Sequence, residues 1–321
     1  MSYRLKAFAF STTLLAIAYA GCTATNQPKA SNEVAPLSSS HQLSPPEPVT
    51  PQPQTFNEDE TEYKSVYDLF TRDESLVYKG FKLKKLTKDV RFEGIEQPMP
   101  VAYTLLTKGK KVIRKFYDNL GPLNATDFGL FPFVRGQGKQ VIVAETAPRQ
   151  GHFWIISLDP EFRILFDSAD YTASREEPSI FDIDKDGTYE LLIGSLDFYF
   201  NVKSYALLNT PQPSLIFKYD RHAGKYLIAN RILQAYSLRG LDKEIQNLKP
   251  EVHSDPASNE GYFRSRIDIL LRLIYADKQK EGWAFFDREY RLPDKQDVKT
   301  KIKAVLRKQG AYRSIYTRSA V

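Results

Sequence analysis

The sequence predicts a mainly β chain with a helical C-terminal region, α+β overall. Three observations carry that reading. The 321 residues include 19 Tyr, 20 Phe and 2 Trp, an aromatic load that favours strands. Between residues 101 and 230, aliphatic and aromatic runs alternate with short polar turns, and one stretch repeats at a fixed offset. After residue 230 the apolar residues fall three and four apart, the spacing of helices. With 42% hydrophobic and 26% charged residues, the chain is neither wholly disordered, nor collagen, nor a coiled-coil rod. A single Cys excludes an intramolecular disulfide, a Cys-rich zinc site and an iron–sulfur cluster. The net charge of +6 is mild and both signs are interspersed, so no nucleic-acid partner is expected.

Residues 1–21 read as a signal segment. Arg4 and Lys6 precede an apolar stretch, Ala7 to Ala20, that is too short for a comfortable membrane span. Ala20-Gly21-Cys22 follows. Small residues before a Cys at this place resemble the lipobox of bacterial lipoproteins, with Tyr19 standing where that family prefers an aliphatic residue. The resemblance implies lipidation of Cys22. With Thr23 rather than Asp next, it also implies sorting to the outer membrane, facing the periplasm. Residues 22–58 are then a tether. Seven Pro, five Ser and no aromatic before Phe56 leave too little apolar area to offset the entropy of ordering. Such a segment reaches about 110 Å as polyproline and about 35 Å as coil.

Residues 59–230 form the β region. Tyr63, Val66, Tyr67 and Phe70 predict a short opening helix. Val101–Thr107 and Lys111–Tyr117 predict a hairpin around Lys108-Gly109-Lys110. Phe131 to Ala144 then aligns without a gap on Phe181 to Gly194, 50 residues later. Each copy reads as an aromatic-led strand, a polar loop and an aliphatic strand, Gln140–Ala144 or Glu190–Gly194. Two more strands follow each: His152–Leu158 and Arg163–Asp167 in the first, Lys203–Leu208 and Ser214–Tyr219 in the second. Four strands in about 50 residues is the size of a propeller blade, and the hairpin at 101–117 resembles half of another. About two and a half blade-like units are expected, as a propeller fragment, a small sandwich or a longer repeat only partly visible. An accidental likeness of aliphatic strands is the alternative.

Residues 231–321 are expected to be helical. Ile267, Leu270, Leu271 and Ile274 form a stripe with Asn259 as N-cap, and Trp283, Phe286 and Tyr290 continue the spacing. Pro293-Asp294 opens another helix with Val298, Ile302, Val305 and Leu306 on one face. Its other face, Lys295, Lys299 and Lys303, is a solvated side or an anion site. This region is placed to cover the β part, since an uncovered sheet edge invites aggregation.

The chemistry concentrates in one loop, Asp182-Ile-Asp184-Lys-Asp186-Gly187-Thr188-Tyr-Glu190. Alternate carboxylates on a tight turn converge on one centre, and Gly187 supplies the positive φ such a turn needs. A hard cation with six to eight oxygen ligands suits that crowd. An EF-hand would need Glu at the twelfth position, which is Ile193. With its acid at the ninth position between strands, the loop resembles the FG-GAP or VCBS-type repeat of calcium-binding β-propellers. That resemblance implies Ca²⁺, held by the side chains of Asp182, Asp184, Asp186 and Glu190 and the carbonyl of Thr188. Glu190 departs from the family's usual Asp. The copy at 131–144 has no carboxylate, so one site is expected.

No nucleophile elbow, HExxH, P-loop or dinucleotide fingerprint occurs. The expectation is a non-enzymatic, membrane-tethered binding or scaffold module meeting an envelope protein or glycan. The alternative is a hydrolase of an envelope polysaccharide, with Asp167 and Asp170 as paired carboxylates in a cleft. His152, beside Phe153 and Trp154, reads as a packed strand residue rather than a base.

Overall fold

The structure is a computed structural model. It describes residues 64–92, 94–117, 124–147, 150–171, 178–194, 198, 202, 214–249, 252 and 259–317. The chain divides into units 1–55 and 56–321, and every described residue belongs to the second. The signal segment, Cys22, the tether and the expected strand at 203–208 lie outside the described residues.

Thirteen strands are described. They are β1 (Lys64–Ser65), β2 (Ser75–Tyr78), β3 (Phe81–Val90), β4 (Met99–Lys108), β5 (Lys111–Phe116), β6 (Ala125–Phe131), β7 (Gln140–Ala147), β8 (Gln150–Ser157), β9 (Arg163–Asp167), β10 (Ser179–Phe181), β11 (Glu190–Gly194), β12 (Ser214–Asp220) and β13 (Lys225–Ile228). They form three antiparallel sheets: a first of order β2-β3-β4-β5, a middle of order β6-β7-β8-β9, and a third of order β1-β10-β11-β12-β13. Each run of four consecutive strands is a meander, and β1 returns from upstream to join the edge of the third. Six helices follow: α1 (Gln234–Ser237), α2 (Leu241–Gln246), α3 (Glu260–Tyr275), α4 (Gln279–Glu289), α5 (Lys295–Lys308) and α6 (Gly310–Thr317).

The middle sheet is buried on both faces, and strand alternation explains how. Val141 and Val143 of β7 pack with Phe81, Leu83, Leu106 and Phe116 of the first sheet. Ile142 and Ala144, one residue out of phase, pack into a larger cluster with Ile180, Leu191 and Phe217 of the third sheet and Ile267, Leu270 and Phe286 of the helices. The first sheet keeps a solvated face: along β3, Phe81 and Leu83 are buried while Lys82 and Lys84 are exposed.

The 50-residue repeat is visible in the pairing. Phe131 opposes Gln140 at the mouth of one hairpin, and Phe181 opposes Glu190 at the mouth of the other. Both aromatic residues close their strand rather than open it. In the second copy the expected strand order needs correction. Ser214–Asp220 pairs directly with β11, so it is the third strand of its meander, and Lys225–Ile228 is the fourth. The hairpin at 101–117 forms with a two-residue turn, Gly109-Lys110, where Gly109 has φ +58°. It is the second half of a full sheet whose first half, β2 and β3, is Lys-rich and hard to recognise as strand.

The opening helix is also corrected. Val66–Leu69 form one 3₁₀ turn, preceded by the short strand Lys64–Ser65 that pairs with Ile180 and Ser179. One turn of helix is marginal alone, and a free sheet edge offers this backbone better partners. The segment then crosses the middle sheet. Thr71 donates its N–H to the Phe128 carbonyl at 2.9 Å, and Phe70 bridges to Gly129. A Cβ at Gly129 would lie 1.8 Å from the Leu69 carbonyl oxygen, so only glycine admits this crossing.

The helical stripes pack as expected. Ile267, Leu270, Leu271, Ile274, Phe286, Tyr290, Val298, Ile302, Val305 and Leu306 are buried in the large cluster. Asn259 occupies the N-cap position of α3 without a side-chain capping bond. The lysine face of α5 is tied to α4. Lys299 pairs with the Asp287 carboxylate at 2.6 Å, Lys295 donates to the Asp287 carbonyl, and Lys303 lies 5.2 Å from the Trp283 ring. Among the described residues, no helix is long and apolar enough to cross a membrane.

Candidate metal centre

The acidic loop is the eight-residue connection from β10 to β11. Lys185 and Gly187 adopt positive φ, +57° and +80°, which turns the chain tightly. The loop ties itself through its own carboxylates. Gly187 donates its N–H to Asp182 Oδ2 at 3.0 Å, and buried Thr188 donates its N–H to Asp186 Oδ1 at 2.7 Å. Ile183 donates its N–H to Glu190 Oε2 at 2.8 Å. From the middle sheet, Phe133 accepts a bond from the Tyr189 N–H and Arg135 donates to the Asp186 carbonyl. The two equivalent loops therefore lie against each other.

One carboxylate oxygen from each of Asp182, Asp184 and Glu190 falls within 4.8 Å of the others. Asp186 joins them through a residue that the loop's own sequence does not contain. Lys218 of β12 extends its ammonium to Asp184 Oδ2 at 2.7 Å, Asp186 Oδ2 at 2.8 Å and Glu190 Oε1 at 2.9 Å. Three of the four expected ligand side chains thus surround a lysine nitrogen, and Asp182 does not touch it. Lys218 stands in a strand whose neighbours Ile216, Phe217 and Tyr219 are buried. A lone cation in such a strand was the available signal for it.

The electrostatics are uneven. Glu190 is fully buried, and burial pushes its carboxyl up to about 7, although Lys218 and the Ile183 N–H draw it down. Asp186 is pushed up by burial, but its bonds from Lys218 and Thr188 prevail and leave it below the usual range. Lys218 is raised: burial opposes its charge, and the three carboxylates outweigh burial. Asp182 Oδ1 is buried and, among the described residues, has no hydrogen-bond partner.

The donor set fits a divalent cation. Calcium bonds oxygens at about 2.3–2.6 Å, so ligand oxygens on opposite sides of it lie nearly 5 Å apart. The Asp182, Asp184 and Glu190 oxygens lie within that distance of one another, and the Asp182 Oδ1 oxygen is one that the ammonium leaves unused. The equivalent loop of the middle sheet shows what a neutral arrangement needs. Gln140, as buried as Glu190, accepts the Val134 N–H and donates its own amide to the Gln137 and Gly138 carbonyls. An ionised carboxylate at that position has no proton to donate, so Glu190 is satisfied by a cation or by taking up a proton.

The paired-carboxylate reading fares differently. Asp167 accepts from His152 Nε2 at 2.6 Å, Trp154 Nε1 at 3.0 Å and the Ala169 N–H at 3.0 Å. Burial pushes its carboxyl up, and those bonds outweigh it and hold the group below the ordinary range. Asp170 is raised by burial and then by the charge of Asp167, but it is exposed. A cavity of about 570 Å³ is lined by Glu244 of α2, Leu248 just beyond it, and Tyr262 and Arg266 of α3, and by neither aspartate. His152 is a packed strand residue, its ring stacked on Trp154 at 3.7 Å. Comparison with protein-family models, with curated proteins and with solved structures finds no match to this chain.

Proposed function

We propose that the chain is a membrane-tethered lipoprotein of the cell envelope whose folded part is a non-enzymatic, calcium-stabilised binding or scaffold module. The observation that carries the calcium reading is the contrast between Gln140 and Glu190. Two equivalent buried positions close equivalent loops. One is neutral and self-sufficient; the other, when ionised, has no proton to donate and meets the Lys218 ammonium. The repeated four-strand meanders support the blade-like reading and its likeness to FG-GAP or VCBS-type repeats. The Ala20-Gly21-Cys22 sequence supports the anchor, and the tether gives the module its reach.

In this reading Asp182, Asp184, Asp186, Glu190 and the Thr188 carbonyl hold the ion. Bound calcium supplies charge compensation to the loop, not a reaction. It joins β10 to β11 and, through the contacts of Arg135 and Tyr189, steadies the junction of the middle and third sheets. Asp167 is bonded to His152 and Trp154, and neither it nor Asp170 lines the described cavity, which supports the binding module over the hydrolase.

The test is thermal melting of the full chain in chelator, magnesium and calcium. An ion that binds only the folded state adds about 2.7 kcal/mol at 100 times its Kd. For a folded part of this size that raises the melting temperature by about 5–10 °C. Calcium should give that rise, magnesium a smaller one, and Asp184→Ala should remove most of it. Identical melting in calcium and chelator would refute the calcium reading.

A further inference from the structure

The ammonium of Lys218 occupies the position where the carboxylates converge. It has three N–H donors and spends them on Asp184, Asp186 and Glu190, all within 2.9 Å. None remains for Asp182 Oδ1. Calcium, with six to eight ligands, would draw on those same three carboxylates and the orphaned oxygen. Two cations cannot share oxygens at these distances, because their mutual repulsion in a partly buried site is prohibitive. The backbone of Lys218 is fixed by its register with Leu227 across β12 and β13. Its side chain is 21% exposed, on a flexible four-carbon stem, so the ammonium alone has a route to water.

We propose that Lys218 is a built-in competitor for calcium: it fills the loop in the ion-free protein and leaves when the ion binds. The inference rests on the calcium reading and adds the exchange to it. The ion-free loop is then held together by the lysine, and calcium replaces one staple with another. Calcium affinity is lowered by the three bonds the ion must displace. The surface gains a mobile lysine beside Asp184 and Lys185, both exposed, whenever the ion is bound.

Two measurements on the full chain test this. The first is amine labelling by reductive methylation, read residue by residue by mass spectrometry, with calcium binding followed in parallel by calorimetry. Lys218 should be labelled slowly in chelator and several-fold faster in saturating calcium. Exposed Lys82 and Lys84 should not change. Calcium binding with unchanged Lys218 labelling would overturn the exchange and leave the calcium reading standing. The second is Lys218→Met, which keeps the stem and removes the charge. Its calcium affinity should rise about tenfold or more, equivalent to at least about 1.4 kcal/mol. Binding by the variant alone would equally support competition. Equal or weaker affinity in the variant overturns it. No binding by either protein overturns both this inference and the reading beneath it.

Discussion

Replacing Lys218 by Met in the ion-free protein should cost stability in a pH-dependent way. The ammonium touches three carboxylates of unequal exposure. Asp184 and Asp186 are 35% and 43% exposed, so each of those pairs contributes about 0–1 kcal/mol. Glu190 is 0% exposed, and breaking a fully buried pair costs about 3–5 kcal/mol. Lys218 is itself partly exposed, and Glu190 can take up a proton, which caps its share at about 1.4 kcal/mol per pH unit above 7, so a loss of about 1–3 kcal/mol is expected at pH 8. The sign of the pH dependence follows from Glu190. Its folded value, about 7, lies above the ordinary 4.5, so the folded chain holds the proton more tightly. Stability from this group is therefore present at low pH and falls as pH rises from 4.5 to 7. Lys218 offsets part of that fall. Without it the folded value climbs further, so the extra loss opens above pH 7 and is small at pH 5. Chelator-treated protein and variant, melted in urea at pH 5 and pH 8, give both numbers. A loss below about 0.5 kcal/mol at pH 8, or one that shrinks as pH rises, would refute the reasoning.

Gly129→Ala should destabilise by about 3 kcal/mol. The strap across the middle sheet must lift, exposing fully buried Val66 at about 1.5–3 kcal/mol and losing the Thr71–Phe128 bond at about 1. A denaturant midpoint close to that of the parent protein would contradict the crossing. Asp167→Asn should cost about 1–3 kcal/mol at neutral pH. Because the folded value is lowered, this stability is present above pH 4 and vanishes as pH falls through that value, so parent and variant should converge in acid melts. Cys22→Ser should release the protein from the membrane fraction or leave its precursor unprocessed, since stable anchoring needs multiple acyl chains. Unchanged membrane partitioning of the mature variant would remove the lipoprotein reading.

Much of this architecture can be read from the chain, and the exceptions share a cause. The 131–144 and 181–194 repeat is legible because its polar loop and aliphatic strand are local patterns, and both hairpins close on the same pair, 131 with 140 and 181 with 190. The helical stripes of α3 and α5 are legible for the same reason. The first half of the first sheet is not. Phe81–Val90 reads FKLKKLTKDV, with few β-branched residues and a solvated face, and only pairing with β4 makes it a strand. The opening turn misleads because its fate is decided by a sheet edge more than a hundred residues away. In the loop, alternating acids and Gly187 reveal the turn and its φ of +80°. They say nothing of Lys218, which reaches the loop only through the pairing of β11 with β12. The sequence points to a cation among these acids; the fold brings the Lys218 ammonium to three of them.

The most direct test of the account is a calorimetric titration of the chelator-treated full chain with calcium. One site per chain is predicted, abolished by Asp184→Ala, with binding weakened by Lys218 and so tighter in Lys218→Met. Absence of binding heat in the parent chain and in Lys218→Met, with chelator leaving the melting temperature unchanged, would contradict it. The loop would then be an acidic turn closed by a lysine.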